Sequence, residues 1–249
     1  MTDNRGKTGA PHHERLLHDT DWASLTTAGG TGSSLPTALA RLLDPDPAVR
    51  ASAARSALRE VTHQNSFYGA TAPVARYVAA VLAEPALTAT DFDLGETARP
   101  DPPALVLLLT WLADTTHDAS LTADGQYLEE YAEVDAFRNL RPVLFDAVRP
   151  LLGHPSPEAR TAALLAAIPL TQHPLLTGHT DELAGHARRL LATSPDRHGR
   201  DRALEALRAW GHDTRDLETP ADTASREHHT HLQARQASRT GGYTQAPPF

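Results

Sequence analysis

The chain has 249 residues, a formal net charge of −8 at pH 7, 40% hydrophobic residues and no cysteine. The lack of cysteine excludes disulfides, thiolate chemistry and Cys-ligated zinc. The acidic balance argues against non-specific binding to duplex nucleic acid, where neutralised phosphates supply most of the affinity.

Residues 1–19 are polar and without hydrophobic periodicity, and so are residues 218–249. Each stretch holds three acids and three bases, so the acidity belongs to the body between them. Both are expected to be flexible, disordered tails around a helical repeat domain over 20–217. Arg5, Lys7, His12, His13 and Glu14 interrupt any signal-peptide core. The longest apolar run, Ala104 to Leu109 continuing through Trp111 to Ala113, is far shorter than the ~20 residues needed to cross a bilayer. A cytoplasmic protein with no membrane association is the expectation.

Leu35, Leu39, Leu42 and Leu43 fall on one helical stripe. Asp44-Pro-Asp-Pro stops that helix and starts the next, lined by Val49, Ala53, Ala57, Leu58 and Val61. A third helix opens near Ala70-Thr71-Ala72-Pro73 and carries Val74, Tyr77, Val78, Val81 and Leu82. The pattern then fails over 84–103, where four prolines, Gly95, Asp91, Asp93, Glu96 and Asp101 describe a long acidic loop or insertion.

Ala104 to Leu112 is apolar all round and reads as a buried helix. A polar break over Thr115–Gly125 leads to an acidic helix over Gln126–Phe137. Leu140, Leu144, Ala147, Val148, Leu151 and Leu152 restore the regular pattern, and Ala159, Ala163, Ala166, Ala167 and Leu170 line the partner helix. The last hairpin uses Leu183, Ala187, Leu190 and Leu191, then Ala203, Leu207 and Trp210, with Gly211 as C-cap. No segment alternates as a strand would, so about nine helices in four to five hairpins give an all-α fold.

One phrase recurs. Leu39 to Arg50 reads as an apolar helix end, a proline-bearing turn and an arginine early in the next helix. Val148 to Arg160 repeats it and Leu190 to Arg200 echoes it. Such self-similarity predicts an α-solenoid, whose units bury their apolar faces only by stacking. The phrase resembles a HEAT repeat. Asp21-Trp22, followed by His63-Gln64-Asn-Ser-Phe-Tyr68-Gly-Ala70-Thr71-Ala72-Pro73, is similar to a group of bacterial HEAT-repeat proteins in which these segments occur in this order. The resemblance covers Asp21 to Leu82 and becomes generic from Leu140 to Trp210. It implies a scaffold or binding protein, and analogy with acidic bacterial solenoids extends this to toxin immunity or a regulatory partner.

His63 and Gln64 either line a polar ligand pocket with Tyr68 or cap the end of the Val49–Val61 helix and brace the turn into Pro73. Glu129, Glu130, Glu133 and Asp135, with Asp91 and Asp93 of the acidic loop, are candidate contacts for a basic protein partner or simply a solvated face. Arg188, Arg189, Arg197 and Arg200 make the last hairpin locally basic and are the candidate nucleic-acid contacts. That alternative resembles the helical-repeat DNA glycosylases, and Trp111 with Asp114, or Trp210 with Asp213, would share a helix side if each helix ran far enough. A third alternative is a small-molecule-binding biosynthetic accessory protein. No nucleophile elbow, phosphate loop or His-Glu-x-x-His motif is present, so no catalytic residue, metal or cofactor is assigned. The function expected is a non-enzymatic protein-binding scaffold that acts through its concave face and acidic central segment.

Overall fold

A computed structural model of the chain describes residues 10–88, 102–121 and 132–240, with side chains described through Leu232 except at His229. Among these residues the protein is all-α, with twelve α-helices and two hairpins of two residues per strand. The chain divides into two compact units, Met1–Leu183 and Ala184–Phe249.

In the first unit, α1 (His12–Asp19) already belongs to the folded body, contrary to the expected tail over 1–19. His13 stands edge-on to Tyr77 at 6.4 Å and lies 3.4 Å from the Glu84 carboxylate. Trp22 Nε1 donates to Leu17 O at 3.0 Å. No residue of α1 is buried, so the sequence carries no apolar stripe to announce it.

Leu35 and Leu39 of α2 (Leu35–Ala40), and Leu42 in the 3₁₀ turn that follows, are fully buried. They pack against the alanine face of α3 (Pro47–Val61), where Ala54, Ala57 and Val61 are also fully buried. Strands β1 (Thr26–Thr27) and β2 (Gly30–Thr31) form one hairpin, and β3 (Thr62–His63) and β4 (Ser66–Phe67) form the other. Two-residue strands are too short to carry a period-two signal, which is why sequence patterning misses them. Ala28 N donates to Glu60 O, and Ala70 N donates to Thr26 O. The first hairpin thereby joins the end of α3 to the start of α4 (Thr71–Val81).

Gly32 fixes the geometry at this corner. A Cβ there would lie 2.7 Å from Trp22 O and 3.1 Å from the Leu35 side chain. Gly32→Ala is therefore expected to lower stability by about 1–3 kcal/mol through overpacking against backbone. Gly29→Ala, which would meet nothing within 4 Å, is the control in the same urea titration.

On α4, Val74, Tyr77, Val78 and Val81 are fully buried. Tyr77 Oη donates to Leu39 O at 3.2 Å, and burial, with Glu14 and Glu84 nearby, pushes the phenol up to about 12. A short helix α5 (Pro85–Thr88) follows. Helix α6 (Ala104–Leu121) continues through the described part of the expected polar break, from Thr115 to Leu121, and the rest of that break lies outside the described residues. Thr115, Thr116 and Ser120 of that stretch are buried: Thr116 Oγ1 donates to Leu112 O at 2.6 Å and Ser120 Oγ to Thr116 O at 2.9 Å. Back-bonding to the i−4 carbonyl lets such hydroxyls be buried within a helix. Of the expected acidic helix over Gln126–Phe137, the described part is α7 (Ala132–Arg138). Then come α8 (Arg141–Val148), a 3₁₀ stretch and α9 (Pro157–Leu170). Helix α6 packs against α3 and α9, while α4 packs on α1, α7 and α8.

Helix α10 (Thr180–Thr193) carries the chain into the second unit, which continues with α11 (Arg197–Ala209) and α12 (Pro220–Thr240). Gly211, at φ +83°, ends α11 as expected, with Gly211 N donating to Arg208 O and His212 N to Leu207 O, both at 2.9 Å. This is the paired bonding of a Schellman C-cap. The expected tail over 218–249 is instead helical through Thr240. Its anchors are polar and leave no hydrophobic period. Asp222 accepts Arg200 Nη2 at 2.6 Å and Thr219 N at 2.8 Å. Glu218 accepts Arg208 Nη2 at 2.7 Å, Thr214 Oγ1 at 2.9 Å and Arg226 Nη2 at 2.9 Å.

These donors hold the Glu218 carboxyl at about 2, Arg208 contributing most, and Arg200 holds Asp222 well below the usual carboxylate range. The sign follows from linkage. A carboxylate depressed on folding stabilises the native state above its unfolded pKa, and that contribution is lost as pH falls through the folded value. The stability of Ala184–Phe249 is expected to drop as pH falls from about 4.5 toward 2. In denaturant titrations across that window, Glu218→Gln should flatten the slope.

The recurring phrase corresponds to one local structure seen three times. Asp46, Ser156 and Asp196 cap α3, α9 and α11, their side chains accepting from Ala48 N, Ala159 N and Gly199 N. Two residues earlier, Asp44, His154 and Ser194 each accept the backbone N–H of the cap residue through their own side chains. Four residues after each cap, an arginine turns back onto the interhelical turn. Arg50 Nη1 donates to Asp44 O and Pro45 O at 2.5 and 3.0 Å, and Arg160 Nη1 to His154 O and Pro155 O, both at 2.7 Å. Arg200 Nη1 donates to Leu191 O and, at 3.3 Å, to Ser194 O. The repeat therefore fixes a turn whose carbonyls would otherwise go unpaired at helix ends. His154 adds one contact: with Nδ1 accepting, Nε2 carries the proton and donates to Thr88 O at 3.2 Å.

Candidate functional site: a groove between two helices

Helix α3 presents Arg55, Leu58 and Arg59 at i, i+3 and i+4, which makes them one stripe, and Thr62, the extended residue that ends the helix and opens β3, joins them. Helix α6 presents Val106, Leu107, Thr110, Trp111 and Asp114 in the same way, with Pro102 just before it. Together they line an open groove of about 390 Å³. Its floor is apolar. Leu58 and Val106 are each 8% exposed and Trp111 is 7% exposed, while Leu105, Leu108 and Leu109 of α6 are wholly buried.

The floor is fixed in place by hydrogen bonds. Trp111 Nε1 donates to Thr62 Oγ1 at 3.2 Å, and that hydroxyl donates to Leu58 O at 2.9 Å. The indole is thus held by a side chain whose own proton is engaged, and Trp111 lines the groove from that fixed position. Arg59, Thr110 and Asp114 are exposed at the rim and Arg55 is half-buried. The arrangement offers an apolar surface between a cationic wall and a carboxylate. It holds no nucleophile paired with a base, and no group of His, Asp or Glu able to hold a metal occurs among the described residues.

Sequence reasoning treats Trp111 as core, and only the packing of α6 on α3 turns its edge into a floor. The Trp-x-x-Asp spacing was the available signal. It succeeds at Trp111 and Asp114 because α6 continues to Leu121. It fails at Trp210 and Asp213, because α11 ends at Ala209 and Asp213 is paired with Arg215 beyond the cap.

The other sequence-derived residues fall elsewhere. Gln64 and Asn65 form the tip of the β3–β4 hairpin at φ 51° and 60°, the positive values of a type I′ turn. His63 and Gln64 are exposed there, and Tyr68 is half-buried. The bracing expected of His63 and Gln64 is done by neighbouring threonines: Thr62 Oγ1 donates to Leu58 O, and Thr71 Oγ1 to Val61 O at 2.8 Å while accepting from Tyr68 N.

Glu133 is half-buried and Asp135 exposed on α7, where Asp135 pairs with Arg138 at 3.0 Å. Asp91, Asp93, Glu129 and Glu130 lie outside the described residues. Of the basic candidates, Arg188, Arg189 and Arg197 are exposed. Arg200 is not available to a phosphate, because it is 6% exposed and bonded to Asp222 and turn carbonyls. Its place in the repeated turn makes it a structural residue.

Comparison with known protein families, characterised proteins and solved structures finds no match to this chain.

Proposed function

We propose that the chain is a non-enzymatic protein-binding scaffold of HEAT-like hairpins, acting in the cytoplasm, whose recognition site is the groove between α3 and α6. The observation that carries this reading is the combination of an open apolar floor with a charged rim. Such a surface buries a partner's anchor side chain while the rim sets register. The thrice-repeated turn and the packing of α6 between α3 and α9 support the solenoid part of the reading. Charge supports a partner with a basic surface. Residues 89–101 hold four acids and one arginine, and residues 122–131 three acids and no base, so these segments carry six of the eight net negative charges. Net negative charge speeds encounter with a basic protein. Toxin neutralisation or regulation is one use of such a scaffold.

The test is affinity capture from the source cell with the wild-type chain and with Thr110→Trp, which fills the groove from an exposed position. A partner retained by the first and lost by the second supports the reading. Equal retention overturns it. Charge reversal of Glu129, Glu130 and Glu133 should weaken capture at low salt, and an unchanged yield removes the electrostatic part.

A second reading, nucleic-acid binding, is favoured by one observation: Trp111, Asp114, Arg55 and Arg59 line the same groove. Retention of a duplex or single-stranded oligonucleotide at low salt, lost in Arg188→Ala/Arg189→Ala or Arg59→Ala, would support it.

A further inference from the structure

The chemistry of the groove's walls narrows what can occupy it, an inference that rests on the groove being the recognition site. Arg59 on α3 and Asp114 on α6 are both exposed at the rim, and neither makes a hydrogen bond or ion pair among the described residues. Among the described residues, Arg59 and Asp114 therefore stand as an unpaired cation and an unpaired anion on the two helices that line this apolar groove. The volume, about 390 Å³, takes one or two large side chains and not a folded surface.

We infer that the occupant is a short polypeptide segment of a partner that places an apolar or aromatic side chain between an acidic and a basic one, the acid meeting Arg59 and the base Asp114. The apolar side chain covers Leu58, Val106 and Trp111 and supplies most of the affinity. The two charges fix its direction, because the reversed segment would set acid against Asp114 and base against Arg59. A uniformly anionic strand satisfies Arg59 and is repelled by Asp114, which is why a peptide of mixed charge fits better than a nucleic acid.

The experiment uses a displayed library of random ten-residue peptides selected on the full chain, followed by fluorescence anisotropy of the enriched peptides as labelled synthetics. The expected result is enrichment of an apolar residue flanked by one acid and one base. Arg59→Glu should weaken binding at least tenfold, and replacing the peptide's acid with lysine should restore it. Asp114→Lys should behave in the mirror sense, rescued by replacing the peptide's base with glutamate. Both positions are at the exposed rim, so these changes leave the core untouched. Failure to enrich any peptide, enriched peptides without the two charges, or charge reversals that change affinity less than threefold overturn the inference.

Thr110→Trp separates the two levels. If it abolishes binding while the charge reversals are neutral, the groove reading stands and the mixed-charge assignment fails. If enriched peptides bind Thr110→Trp unchanged, both fail. An oligonucleotide that binds in the groove and displaces the peptides overturns the inference in favour of nucleic acid.

Discussion

Replacing Arg200 with methionine is expected to destabilise the unit Ala184–Phe249 by about 3–5 kcal/mol, because it leaves Asp222 as a buried carboxylate without its cation. The side chains of Arg200 and Asp222 are 8% and 4% exposed, and the guanidinium bonds both carboxylate oxygens. Arg200 also donates to Leu191 O, Ser194 O and Leu217 O, so the substitution unpins the turn before α11 and the approach to α12 together. Asp222→Leu alone should be similarly damaging, since it strands the arginine. The double replacement Arg200→Met/Asp222→Leu should recover a large part of the loss, because no unpaired charge then remains buried. Urea unfolding followed through the half-buried Trp210 measures all three. A loss below about 1 kcal/mol in the single variants would mean that α12 does not depend on this pair.

The turn arginines should form a graded series. Arg50→Met is expected to cost about 3 kcal/mol and Arg160→Met about half as much, although each donates Nη1 to the corresponding pair of carbonyls in its own turn. The difference is burial: Arg50 is 1% exposed, whereas Arg160 is half-buried. Water already borders the guanidinium of Arg160 and can take its place, whereas Arg50 is enclosed and its replacement also removes buried packing. Burial also pushes the Arg50 guanidinium below its ordinary value, with Asp44 and Asp46 opposing. The checking measurement is denaturant unfolding of the two variants under identical conditions, and equal losses would remove burial as the controlling variable.

Much of the fold was legible because helices carry their own period. The stripe of Leu35, Leu39 and Leu42, the alanines of α3 and the apolar positions of α4 are buried as their spacing predicts. Gly211 caps α11 because a left-handed C′ residue favours glycine. The misreadings share one cause: polar residues inside the structure look like solvent-facing ones until their partners are known. Thr116 and Ser120 read as a break and lie inside α6, and Asp222 reads as tail and anchors α12. Arg200 reads as a phosphate contact and is enclosed by its own unit.

The candidate site divides along the same line. Trp111 and Asp114 sit three apart on one helix, and Arg55, Leu58 and Arg59 share a face of another, all readable from spacing alone. That these two faces border one groove is not. Local sequence determined which residues form helices, where the turns fall and which arginine pins each turn, because those choices depend on neighbours within ten residues. Only the tertiary structure decided that α3 and α6 lie side by side, so that Thr62 holds the Trp111 indole across 49 positions of sequence. Long-range packing converts a residue that reads as core into the floor of a groove, and no periodicity within a single helix encodes that pairing.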